Sequence, residues 1–373
     1  MTTGLTLGLA YLPDKLPGPG QLAEVILDNV LEIGPTQLVL PEVTVRDERS
    51  SLLFDGSEGA VDLRVHPAEG GGPLGSTAAE RRARAFGVVN VAYHAQRALR
   101  MASGLLGREL PPLLVRIGLH EHTRRWGGGH YRVAARQFDP AEASPVVPTG
   151  EVHLGGGSGY LPGAGGGRYF AAPSHNLAII YHEIGHHICR HTADFRLNRL
   201  RPPTQQTNKK VAIDEGTCDL LTAIMLDEPD IYGWHRGELP ATDQRRRRLD
   251  PRWTMASFRG AATDPHADGT VWASACWSAR LAVIEGGHPA IRFDRMLLRG
   301  LTLTADAAGT ELNEQARRRL RYFSGLLETM LVADPDLTDP VLAAMSAHGI
   351  EPGVSNAQLR DQARADLLVT AGR

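Results

Sequence analysis

The sequence predicts an α+β protein in which a mixed half of strands and helices is followed by a mainly helical half. Three observations carry this. Short runs rich in Val, Leu and Ile, bounded by Gly and Pro, fall in the first 155 residues or so, as "TQLVLPEVTV", "PPLLVRIGLHEH" and "GEVHLG". Helical periodicity dominates from Ser174 onward, over 175–193, 214–227, 269–285, 313–333 and 338–348. The chain has 373 residues with 42% hydrophobic and 22% charged content, enough for two or three domains' worth of core.

Taken in order, residues 1–75 form a β-rich amino-terminal extension with no role assigned by the sequence. Its strands are "TQLVLPEVTV" and "AVDLRVHP", separated by the turn-rich "FDGSEGA". The Gly/Pro-rich "HPAEGGGPLGS" marks a boundary. Residues 76–193 then form an α/β lobe. It opens on a helix of about 28 residues ending near Gly107, continues through the strands "PPLLVRIGLHEH" and "GEVHLG", and closes on a helix. Residues 194–373 form a mainly helical lobe. The glycines of "GGGSGYLPGAGGG" are not a phosphate loop, because no Gly-Lys-Ser/Thr follows; a flexible hairpin or lid is expected.

Composition excludes several classes. A net charge of −2 gives no field toward nucleic acid or an anionic membrane. "RRRR" at 245–248 reads as a solvated connection. No run approaches the ~18 apolar residues of a membrane span, and the first residues lack a secretion signal. Cys189, Cys218 and Cys276 form no C-x-x-C pair and read as reduced core thiols. Together these features lead to an expected cytoplasmic location, with no nucleic-acid or membrane partner. Oligomeric state is not assigned.

The chemistry concentrates in "YHEIGHHICRH", Tyr181–His191. At about 100° per residue, Leu177, Ile180, Tyr181, Ile184 and Ile188 form one apolar stripe. His182 and His186 sit together nearly opposite it. His187 and His191 point roughly 140° away from that pair and cannot share its ion. Only the first pair has a glutamate after its leading histidine, so His182-Glu183-Ile184-Gly185-His186 is H-E-x-x-H. In that geometry two imidazoles hold a metal and the glutamate stands beside a water. His187 and His191 are expected to cap, pack or hydrogen-bond.

A catalytic zinc needs a third protein ligand. The candidate lies 28 residues downstream, in "VAIDEGTCDLLTAIM", where Glu215 and Asp219 are four apart and project from one helix face.

H-E-x-x-H followed by Glu215-x-x-x-Asp219 resembles the gluzincin metallopeptidases, the thermolysin-like and fungalysin-like group. The resemblance implies a two-lobed zincin-type fold, with a mixed sheet and active-site helix followed by a helical lobe. It implies Zn2+ ligation by His182, His186 and Glu215, with Asp219 holding the other ring nitrogen of His182. Weaker likeness extends over roughly 80–355. "FGVVNVAYHAQRALRMASGLLG" is similar to the family's preceding helix. "DPHADGTVWASACWSAR" is similar to its H-x-x-G-x-x-W-A segment, with Cys276 in place of the usual leucine. One departure stands out. The thermolysin pattern has a catalytic tyrosine between the zinc helices, and residues 187–214 contain none.

The function expected is zinc-dependent hydrolysis of a peptide bond, with Glu183 as general base and acid. His266, in "DPHADG", is the candidate donor to the tetrahedral oxyanion. An edge strand, expected at "GEVHLG", would align an extended peptide. The alternative is a zinc hydrolase of the same fold acting on a non-peptide or modified amide, since fold does not fix substrate.

Overall fold

The computed structural model describes residues 6–13, 21–56, 61–67, 77–119, 127–133, 149–156, 172–231, 247–260, 265–313, 316–317 and 320–371. Residues 68–76 of the linker expected at His66–Ser76, and the glycine-rich segment 157–171, lie outside them. The fold is α+β with a mixed sheet, as the sequence predicts. It comprises two compact units.

The first unit takes in described residues of Met1–Met101 and Leu110–His187. Two short strands, β1 (Thr6–Leu12) and β2 (Gln21–Leu27), pair antiparallel as a separate ribbon. The main sheet uses β3 (Glu32–Ile33), β4 (Gln37–Val39), β5 (Val43–Asp47), β6 (Leu113–Leu119), β7 (Gly129–Arg132) and β8 (Glu151–Gly155). Its strand order is β3-β4-β5-β6-β8-β7. Pairing is parallel at β5–β6 and β6–β8 and antiparallel elsewhere. Residues expected to form an extension thus supply three strands of this sheet. Among the described residues of "AVDLRVHP", Leu63 pairs in an isolated bridge with Gly8.

Alternation fixes which face is apolar. Val43 and Val45 of β5, Val115 and Ile117 of β6, and Val152 and Leu154 of β8 are all buried. The helix α1 (Thr77–Leu106) buries Phe86, Val89, Ala92 and Leu99. Asn90, fully buried, ties three elements. Its Oδ1 accepts the Tyr11 amide of β1 at 3.0 Å, and its Nδ2 donates to the Ser174 carbonyl at 2.9 Å, just before α2 (Leu177–Arg190).

The second unit takes in described residues of Ala102–Glu109, Ile188–Ile231 and Arg246–Arg373. It holds α3 (Ala212–Leu226), α4 (Pro265–Glu285), α5 (Ala290–Ala308), α6 (Phe323–Ala333), α7 (Thr338–Ala347) and α8 (Asn356–Ala371). Trp272 of α4 is fully buried, and its ring lies 5.6 Å from that of Phe323. The α4–α5 packing carries a buried ion pair, Arg280 Nε to Asp294 Oδ1 at 2.9 Å. Of the helix expected over 313–333, residues 316–317 are helical and α6 follows a turn at 320–321; the side chain of Asn356 accepts the Phe323 amide at its start. Among the described residues no helix is long and apolar enough to cross a membrane.

Candidate metal centre

Helix α2 starts at a side-chain cap. Asn176 Oδ1 accepts the amides of Ala178 and Ile179 at 3.0 and 3.3 Å, which satisfies two of the orphan donors of the first turn. The apolar stripe is buried as its period requires. Tyr181 adds a polar anchor to it. Its hydroxyl meets His94 Nδ1 of α1 at 2.5 Å, and His94 Nε2 lies 2.8 Å from the Tyr11 carbonyl. A carbonyl only accepts, so Nε2 carries the hydrogen and Nδ1 accepts from Tyr181. Burial holds His94 neutral, with its pKa pushed down to about 3, and raises that of Tyr181.

With the helix so fixed, His182, Glu183 and His186 are all buried. The imidazoles of His182 and His186 lie edge to face, 4.9 Å between centroids. His187 turns elsewhere, as the spacing predicts. Its Nδ1 lies 3.1 Å from the Tyr131 hydroxyl and its Nε2 2.8 Å from the Pro111 carbonyl.

Glu183 runs against β7. A Cβ on Gly129 would come 2.7 Å from Glu183 Cγ, so only glycine lets the strand lie this close. This corrects one expectation. "GEVHLG" is β8, an interior strand between β6 and β7; among the described strands β7 forms that edge of the sheet. The sequence concealed this, because "GGGHYR" is short and glycine-led.

The downstream candidates lie on α3 and α4. Glu215 is fully buried, and His266 Nε2 stands 3.1 Å from its Oε2. His266 belongs to the first turn of α4, which starts at Pro265 rather than near Gly269. Gly216 and Gly269 make the approach possible. A Cβ on Gly216 would sit 2.3 Å from the Gly269 carbonyl oxygen, and one on Gly269 would sit 2.6 Å from the Ala212 oxygen. Above this crossing, Trp272 Nε1 donates to Thr217 Oγ1 at 3.2 Å.

Two further partners were not legible. Asp219, fully buried, is gripped by Arg247 through both carboxylate oxygens, with Nε to Oδ2 at 2.8 Å. Arg247 is therefore not part of a solvated connection: it is buried, and its charge is met by Asp219. The second is Lys210. Its Nζ lies 3.2 Å from His266 Nε2 and 3.9 Å from Glu215 Oε1. Its scarcity was the available signal, since Lys15, Lys209 and Lys210 are the only lysines in the chain. Nearby, Arg196 neutralises buried Asp214 at 2.9 Å.

No protein-family model matches the chain, and no curated protein matches it in sequence.

Proposed function

We propose that the protein is a zinc-dependent peptidase of zincin type, its ion held by His182, His186 and Glu215. The observation that carries this reading is the α2 arrangement: two buried imidazoles 4.9 Å apart, with Glu183 between them in sequence and laid along an edge strand. Two imidazoles and a buried carboxylate are the donor set zinc prefers in hydrolases. Glu215 is the carboxylate this reading assigns to the ion, and His266 Nε2 stands 3.1 Å from its Oε2. Asp219, held by Arg247, would orient His182.

A bound zinc would polarise the scissile carbonyl and make an attacking water more acidic. Glu183 then takes the proton from the water and delivers it to the departing nitrogen. Glu183 lies against β7 at Gly129, so an extended peptide running along that strand would reach it.

Metal analysis of the purified protein tests the reading. One zinc per chain is expected, with most of it lost in Glu215→Ala. Full retention by that variant would remove Glu215 from the ligands. Zinc-loaded protein that leaves unfolded casein intact would sink the peptidase assignment in favour of a narrower amide substrate.

A further inference from the structure

We infer that Lys210 is a substrate-contacting cation that receives the negative oxygen formed when water adds to the carbonyl; this rests on the zinc-peptidase reading. The resemblance gives His266 that task, but His266 Nε2 is engaged within the cluster. It faces Glu215 Oε2 at 3.1 Å and Lys210 Nζ at 3.2 Å. One ring nitrogen offers either a hydrogen or a lone pair. It donates to Glu215 or accepts from Lys210, and in either tautomer this atom is spent on a neighbour.

Lys210 has capacity where His266 Nε2 does not. An ammonium carries three hydrogens, and at most one of them is directed at His266. Its 3.9 Å separation from Glu215 is an ion pair too long for a hydrogen bond. Exposure separates the three groups as well. The side chain of Lys210 is 38% exposed, against 14% for His266 and 0% for Glu215. The cation is thus the member of the cluster that solvent, and hence substrate, reaches. It also sits in the connection between the zinc helices, where the expected tyrosine is absent. A fixed positive charge beside a developing oxyanion stabilises the transition state more than the ground state.

The ligand class is a tetrahedral oxyanion, and inorganic phosphate is the probe. Calorimetric titration of phosphate into zinc-loaded protein should show binding weakened at least ~10-fold in Lys210→Met and largely kept in Lys210→Arg, with zinc content unchanged. On a peptide substrate, kcat of Lys210→Met should fall about 10²–10³-fold while KM changes little. Phosphate bound by Lys210→Met as tightly as by wild type overturns the inference. So does loss of zinc or of fold in both variants, which would mark a structural lysine. Failure of the peptidase reading looks different: wild type binds phosphate through Lys210 yet cleaves no peptide.

Discussion

Gly216 and Gly269 meet backbone to backbone where α3 crosses α4, and the residues that flank this contact are Glu215 on one helix and, three positions before the glycine, His266 on the other. The crossing sets the separation of a buried carboxylate from its histidine. Added methylene at either glycine has nowhere to go, because the obstructing atoms are main chain. Gly216→Ala and Gly269→Ala should each cost about 1–3 kcal/mol, the scale of overpacking. Urea titration would measure it; a loss within error would mean that the helices slide apart freely.

On the proposed reading Glu183 transfers a proton and does not ligate the metal. Glu183→Gln should keep its zinc and lose at least ~10²-fold in turnover. Paired metal analysis and peptide hydrolysis check this, and an active variant would overturn the mechanism.

Asp219 and Arg247 should behave as a unit. Removing one partner of a buried ion pair costs about 3–5 kcal/mol, so Arg247→Ala should be strongly destabilised. Asp219→Asn, which keeps the shape, should weaken zinc affinity or activity by about 10–100-fold while remaining folded. A double-mutant cycle with Arg247→Met would separate the two effects. Unchanged zinc affinity in folded Asp219→Asn removes it from support of the metal site.

His94 and His175 make stability fall with acid. Burial lowers their pKa to about 3 and about 4, against 6.5 when unfolded. The unfolded chain therefore binds their protons first. Their contribution is complete above about pH 6.5 and is lost as pH falls toward the folded values, at about 1.4 kcal/mol per pH unit for each histidine. Denaturant midpoints between pH 7 and 5 should show the slope, and His175→Gln should reduce it. A flat profile would mean that the unfolded chain keeps these rings buried.

Periodic signals carried furthest in the sequence. Helix α2 was legible because an apolar stripe and the histidine pair share one period, and α3 because Glu215 and Asp219 share a face. Helix α5 was not read, since Gly300, Thr302 and Thr304 interrupt its helix formers; tertiary packing supplies what propensity withholds. The ribbon β1–β2 was obscured in the same way, by short strands among Gly and Pro. Residue pairs far apart in sequence left no local trace, so Asp219–Arg247 and Lys210–His266 emerge only from the fold. The order of β7 and β8 was hidden too, because strand order within a sheet is not a periodic property.

The three thiols give the second unit an internal clock. Cys189 lies in the last turn of α2, Cys218 in α3 and Cys276 in α4, and all three are buried and in no disulfide. A soluble alkylating reagent can reach them only when these helices part. Peptide-resolved mass spectrometry of the labelled cysteines would thus time the opening of each helix in the native protein, with no reporter introduced.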